Sequence, residues 1–131
     1  MSQEMQLRAA VLRWLKTDQF LAESLNTVAE EAPLRASIPW LGLAASASID
    51  WSTKEKRGRE TRIALELHLR GDVADTGSDL VGQVERRIEE MPTNHGAFDI
   101  VSIRFLRSRS EQRSGNIRAA LLEYRFRTLE V

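Results

Sequence analysis

A chain of 131 residues with 42% hydrophobic side chains is long enough to form one domain with its own core, which we place at residues 1–131. Cysteine is absent and only His68 and His95 are available, which excludes a disulfide framework, a thiolate metal site and a metal site built on histidines alone, and no cofactor is expected. The 19 basic and 19 acidic residues cancel, which argues against bulk binding to DNA or anionic lipid.

The chain begins with an amphipathic helix, followed by a shorter helical segment. Apolar residues recur at spacings of three and four within residues 4–16, and Ser2 is placed to cap this helix. The stripe consists of Leu7, Ala10, Val11, Trp14 and Leu15. A second set after a capping residue at 17–18 predicts an optional short helix that ends before Pro33. Its members are Leu21, Leu25, Val28 and Ala29. Residues 33–39 are expected to be irregular because proline disfavours helix and cannot donate to a strand ladder.

Residues 40–70 predict a hairpin, because two segments alternate apolar and polar side chains with a period of two. The apolar parity of the first segment is Leu41, Leu43, Ala45, Ala47, Ile49 and Trp51. That of the second is Ile63, Leu65, Leu67 and Leu69. Residues 52–60 between them lack an apolar side chain, so we expect an exposed, mobile loop. Such a loop is either merely solvated or in contact with a partner.

A polar connector and a third helix follow. Residues 70–79 are rich in turn formers, and the apolar stripe behind them ends at Pro92. The stripe is Leu80, Val81, Val84, Ile88 and Met91. The charged residues of this helix alternate in sign, which indicates a solvated, salt-bridged face rather than a cation site. They are Glu85, Arg86, Arg87, Glu89 and Glu90. His95 then belongs to a turn.

A second hairpin closes the chain, with strands from Ile100 to Ser108 and near 120–127 around a polar connection at 109–116. The inward parity is Val101, Ile103 and Phe105 on one strand, and Ala120, Leu122, Tyr124 and Phe126 on the other. On the outward parity, four apolar residues favour a second buried face. These are Ile100, Leu106, Ala119 and Leu121. The order α-(short α)-β-β-α-β-β predicts an α+β fold, with a four-stranded antiparallel sheet and two main helices on one face.

The sequence offers no motif for catalysis or for crossing a membrane. It has no phosphate-binding glycine loop, no dinucleotide fingerprint and no nucleophile elbow, so we expect no enzyme. No apolar run approaches the ~18 residues of a membrane span and the N-terminus has no signal pattern, so we expect a cytoplasmic origin and no membrane partner.

A small arginine-rich nucleic-acid-binding module is the alternative, because basic residues gather at the second hairpin. They are Arg104, Arg107, Arg109, Arg113 and Arg118, and a second basic group gathers in the same way at the first hairpin, namely Lys54, Lys56, Arg57 and Arg59. The aromatic residues on the predicted buried parity argue against it, since single-strand binders expose theirs.

The segment from Ile49 to Glu60 resembles the tail-completion, or tail-terminator, proteins of long-tailed bacteriophages and gene transfer agents. In that family a strand ends in Asp-Trp-Ser-Thr-Lys, as residues 50–54 do here, and a short basic tip containing glycine leads into an alternating strand. The resemblance continues in the order of elements, in the Pro39-Trp40 pair before the first strand, and in strands similar to residues 101–107 and 121–127.

The resemblance implies a virion structural protein at the neck of the particle, made in the bacterial cytoplasm. Its copies, typically six, form a ring that caps the tail tube beneath the head connector and lets DNA pass through the bore without sequence-specific binding. The implied partners are further copies of the chain, the tail-tube protein and a head-connector or stopper protein. Lys54, Lys56, Arg57 and Arg59 are then expected to contact a partner, with Trp51 as the anchor at the loop base. Subunit contacts are expected at Ile100, Leu106, Ala119 and Leu121.

Overall fold

The computed structural model describes residues 2–30, 37–71 and 74–131, which form an α+β fold. The helices of this part of the chain are α1 (Gln3–Lys16), α2 (Gln19–Ser24) and α3 (Ala74–Glu89). Its strands are β1 (Thr27–Ala29), β2 (Trp40–Asp50), β3 (Gly58–Arg70), β4 (Phe98–Arg113) and β5 (Ile117–Glu130). The strands form one sheet in the order β1-β2-β3-β5-β4.

The two predicted hairpins are confirmed, since β2 pairs with β3 and β4 with β5 in antiparallel register. The sheet is nevertheless mixed and five-stranded rather than four-stranded and antiparallel, because β1 lies parallel to β2. Val28 and Ala29, predicted as helical, belong to this strand. A three-residue strand is too short to leave a periodic signal, and only its pairing with Trp40–Gly42 defines it.

The helices α1 and α2 begin where side chains cap them. Ser2 Oγ accepts a hydrogen bond from Met5 N at the start of α1, and Asp18 accepts from Leu21 N at the start of α2. The prediction of a polar connector as far as residue 79 is wrong, because α3 already begins at Ala74. Gly77 is buried in α3, where an added Cβ would lie 3.0 Å from Leu69 Cδ1. Packing on β3 thus overrides the turn propensity of this segment.

Of the stretch 33–39 predicted to be irregular, residues 33–36 lie outside the described residues.

One core fills the space between the helices and one face of the sheet. It contains the predicted stripes of α1 and α3, including Leu7, Leu15, Val84 and Ile88, together with the predicted inward residues of β3 and β5. Tyr124 and Phe126 are its largest buried side chains. Both main helices therefore cover the same face, and the opposite face, which we call the open face, carries the other parity of each strand.

Trp14 and Arg87 join α1 to α3. Trp14 Nε1 donates to the carbonyl oxygen of Arg87 at 2.6 Å, and the Arg87 guanidinium lies 3.4 Å from the centre of the Trp14 ring. Arg87 also donates to the Trp14 carbonyl and to Thr17 Oγ1, and its Nε lies 3.9 Å from Asp18. The prediction of Arg87 on a solvated face is wrong, since its side chain is only 16% exposed.

The second hairpin is longer than the sequence indicates. The predicted connection at 109–116 shrinks to a turn at 114–116, because β4 continues to Arg113. Gly115 and Asn116 both have positive φ, 78° and 58°, which glycine and asparagine tolerate better than other residues. His95 lies in the predicted turn, with Nε2 2.6 Å from the Pro92 carbonyl oxygen.

Candidate assembly surface

A bulge in β2 decides which side chains the first hairpin presents. The pairing of β2 with β3 shifts between Leu43 and Ala45, and this shift reverses the parity of the rest of the strand. Ala45, Ala47 and Ile49, predicted on the buried parity, are therefore exposed on the open face, Ile49 to 63%. The serines between them turn towards α1 instead.

These serines build a polar network that fixes the hairpin to α1. Ser46 and Ser48 donate to the Glu4 carboxylate at 2.7 and 2.6 Å, and Arg8 and Arg59 donate to the same two hydroxyls. The hydrogen bonds from the serines hold the pKa of Glu4 below its ordinary value of 4.5, with further help from the charges of Arg8 and Arg59. Arg59, predicted as a partner contact, is thus directed towards α1 at the base of the hairpin.

Because its folded-state pKa is lowered, Glu4 contributes stability that is present above pH 4.5 and is lost as the pH falls through the folded-state value. We expect Glu4→Gln to be less stable than the natural chain at pH 7, and the difference to narrow as the pH falls below 4.5. Urea unfolding across this range measures it, with Glu89→Gln, a change at an exposed carboxylate, as the control. A difference that does not vary with pH would contradict the prediction.

The loop between β2 and β3, residues 52–57, is an exposed hydrogen-bonded turn, which we call the tip. Thr53 N donates to the Lys56 carbonyl at 2.9 Å, and Thr53 Oγ1 accepts from Lys56 N at 3.0 Å. Ser52 Oγ accepts from Gly58 N and donates to Asp50. The predicted exposure is confirmed for residues 52–57 but is wrong for residues 58–60, which belong to β3 and are buried or half-buried. The bonds also give the tip more internal order than a mobile loop would have. Lys54, Lys56 and Arg57 are exposed on it.

Gly58 closes the base of the tip where three segments meet. An added Cβ would lie 2.3 Å from the Trp51 carbonyl oxygen, 2.8 Å from that of Thr128, and 2.7 Å from Leu129 Cδ2. Two of these neighbours are backbone atoms, and Thr128 is fixed within β5, so only glycine fits. Trp51 N also donates to the Gly58 carbonyl at 2.9 Å.

Trp51 lies on the open face at its tip end. It is half-buried, and the Arg127 guanidinium lies 5.3 Å from the centre of its ring. Ile49 precedes it on the same parity, and Leu129 pairs with Gly58 on the neighbouring strand. Three large apolar side chains, those of Ile49, Trp51 and Leu129, therefore lie at this end of the open face beside Arg127.

The rest of the open face is charged. By strand register it carries eight arginines and five acidic residues out of the 19 of each sign. The remainder of the chain therefore holds 11 basic and 14 acidic residues. The arginines are Arg62, Arg70, Arg104, Arg107, Arg109, Arg113, Arg125 and Arg127, and the acids are Glu60, Glu66, Asp99, Glu111 and Glu123. The prediction of an apolar second face is wrong. The register places more arginines than apolar residues of the second hairpin on the open face.

The four predicted interface residues do not form one surface. Ile100 lies in the core, 4% exposed, so its predicted outward position is wrong. The pairing of β4 with β5 shifts on either side of Val101 and of Leu106, and these shifts change the parity that the sequence suggests. Leu106 is the half-buried extra residue of the second shift. Ala119 and Leu121 face the open side, but Ala119 is fully covered by its neighbours.

Ion pairs neutralise three of the arginines that the sequence assigned to a nucleic-acid surface, Arg107, Arg109 and Arg113. Arg107 lies 2.9 Å from Glu123, and Arg109 pairs with Glu111. Arg113 reaches both Glu66, at 2.7 Å, and Glu111, at 3.3 Å. Arg62 and Arg125 have an outward parity that the sequence shows, but their proximity depends on strand register and so could not be predicted.

The part of the chain that the structure describes contains no group of three or more metal-ligating side chains. Within the same residues, no helix has the length and apolar character needed to cross a membrane.

Residues 9–129 match the family described as "Tail completion protein gp17". The fold is similar to a chain in the "Virion of native gene transfer agent (GTA) particle", with a TM-score of 0.79, 20% identity and coverage of 95% of both chains. It is also similar to the bacteriophage SPP1 gp17 protein, with a TM-score of 0.68 and 18% identity over 94% of this chain and 88% of that one. No curated protein sequence matches the chain.

Proposed function

Because the chain belongs to the tail completion protein gp17 family, a family of structural virion proteins, we propose that it forms a ring at the head-tail junction. The ring, of six copies, ends polymerisation of the tail tube, joins the tail to a head-connector or stopper protein, and passes DNA through its bore. The single observation that carries this proposal is the extent of the family match, which spans residues 9–129 and so includes the tip, α2, α3 and most of α1 and of both hairpins.

A closed ring needs two different surfaces on each copy, because head-to-tail contacts join unlike patches. The fold supplies them, since the helices cover one side of the sheet and the other side is the charged open face with Leu121 among its arginines. Such a contact is more polar than the apolar interface that the sequence suggested. It suits copies that assemble on a particle after folding separately.

The tip is the element that we assign to contact with the tube or the connector. Lys54, Lys56 and Arg57 extend from it with no ion pair among the described residues, and Trp51 supports its base. We leave Arg59 out of this contact, because its guanidinium is bonded to Ser48.

Replacing Lys54, Lys56 and Arg57 together by Gln tests the assignment. None of the three side chains stabilises the turn, so we expect the unfolding midpoint to remain unchanged while incorporation into particles falls about tenfold or more, as when charges complementary to a partner are lost. Incorporation is measured by immunoblot of purified particles, and Glu55→Gln is the matched control at the same turn. Normal incorporation of the triple variant would mean that the tip is only solvated.

Termination itself is tested by removing the gene from the producing cell. A chain that ends tube growth should leave tails of irregular and excessive length, detached from heads, when it is absent. Electron microscopy of the particles decides between this outcome and tails of normal length, which would contradict the proposal.

The nucleic-acid alternative receives less support from the geometry. Most arginines of the second hairpin are paired with glutamates, and the aromatic side chains of Tyr124 and Phe126 lie in the core. The prediction that Phe105 is buried with them is wrong, because its side chain is 44% exposed. Salt-dependent DNA binding by the isolated protein would favour it.

A further inference from the structure

Three arginines stand side by side across the open face. Arg125 on β5 is the register partner of Arg62 on β3 and of Arg104 on β4, so the three form one row perpendicular to the strands. Side chains directly opposite in a sheet have Cβ atoms about 5 Å apart, where like charges are destabilising. We call these three residues the arginine row. Their mutual repulsion destabilises the isolated chain.

The acidic residues nearby do not compensate the row. Glu60 lies 3.9 Å from Arg125 but is already held by Arg127 at 3.0 Å, and Glu123 is held by Arg107. Within the described residues, Arg62 and Arg104 have no ion pair, and Arg125 Nε is enclosed without a hydrogen-bond partner. Beside the row, Ala45, Ala47 and Ala64 leave a hollow of about 230 Å³ that a partner's side chain can enter.

The opposite layer of the molecule carries the complementary charge. Glu89 and Glu90 are exposed at the C-terminal end of α3, where the helix dipole is negative and acidic side chains are unfavourable. The two neighbouring arginines are turned elsewhere, Arg87 towards Trp14 and Arg86 towards Gln83.

We propose that the arginine row of one copy binds the acidic C-terminal end of α3, around Glu89 and Glu90, in the next copy. This inference rests on the proposed ring and names its subunit contact. It is a head-to-tail contact between unlike surfaces, and it relieves an unfavourable charge arrangement on each side.

Charge reversal tests the pairing in particles assembled by producing cells. We expect Arg104→Glu and Glu89→Arg each to reduce incorporation of the chain about tenfold or more, since like charges brought together across an interface cost several kcal/mol. The two changes combined in one chain should restore most of it. Arg13→Glu, the same charge change at an exposed site of α1, is the control.

The same variants separate association from folding. Arg104→Glu puts a carboxylate beside Arg125, so the protomer should unfold at an equal or higher urea concentration than the natural chain. Wild-type incorporation of either single reversal would overturn the inference. Loss of incorporation together with a lower unfolding midpoint for Arg104→Glu would also overturn it.

Cross-linking gives an independent readout, because the chain has no cysteine of its own. Side chains as long as arginine and glutamate keep the backbones farther apart than a disulfide spans, so a short bis-maleimide is the suitable reagent. The Arg104→Cys/Glu89→Cys chain should give a ladder of multimers in purified particles, and each single-cysteine chain should give none. Dimers from a single-cysteine chain would show a symmetric contact and overturn the head-to-tail pairing.

The outcomes distinguish this inference from the function it rests on. Absence of the natural chain from purified particles would overturn the proposed function, and the inference with it. Presence of the chain in particles without the ladder would overturn the inference alone. Salt-dependent DNA binding that Arg104→Glu abolishes, again without the ladder, would assign the arginine row to nucleic acid instead.

Discussion

Replacing Gly58 by alanine is expected to destabilise the chain by about 1–3 kcal/mol, the usual range for adding a methyl group to a space already filled. The new Cβ would lie 2.3 Å from the Trp51 carbonyl oxygen and 2.8 Å from the Thr128 carbonyl oxygen. Neither atom can withdraw alone, because Trp51 N is bonded to the Gly58 carbonyl and Thr128 lies within β5. The hairpin base must open, and the tip with it.

Gly82→Ala is the matched control, because the same substitution in α3 meets nothing within 4 Å. It should stabilise the chain by about 0.5–1 kcal/mol, since alanine loses less backbone entropy than glycine in a helix. Urea unfolding of both variants at neutral pH measures the two effects. If Gly58→Ala unfolded at the same urea concentration as the natural chain, the close contact at the hairpin base would be refuted.

Replacing Arg87 by alanine should cost about 2–3 kcal/mol of stability, in the range for hydrogen bonds from a charged group that is largely buried. The change removes the donors to the Trp14 carbonyl and Thr17 Oγ1 and the cation over the Trp14 ring. It also leaves Asp18 with Gln83 as its side-chain donor. The effect is large because these contacts are the polar link between α1 and α3.

Arg86→Ala is the control for removing an arginine from this turn of α3. Arg86 is adjacent to Arg87 but is exposed and bonded only to Gln83 among the described residues. Its cost should stay within about 0.5 kcal/mol, as for most surface substitutions. Unfolding in urea and a double-mutant cycle with Trp14→Phe measure the link, and the cycle should be non-additive. Equal costs at the two arginines would show that Arg87 does not join the helices.

The candidate surface was only partly predictable from sequence. The tip was predictable, because a charged run without apolar anchors between two alternating segments marks an exposed hairpin end. The direction of Arg59 was not, because it depends on Ser48 turning towards α1 after the bulge. The charge of the open face could not be predicted from the sequence either, for a related reason. Residues 62, 104 and 125 are far apart in the chain, and only strand register brings them into one row.

The sequence by itself determined the elements whose signal is local. The 3.6-residue stripes of α1 and α3, the cap at Ser2, the alternation of β3 and the two hairpins all follow from neighbouring side chains. The tertiary structure alone decided the parallel strand β1, the bulge in β2, the start of α3 at Ala74 and the inward turn of Arg87. Each of these depends on contacts between residues distant in the chain, whose energies exceed the local preferences that a sequence pattern expresses.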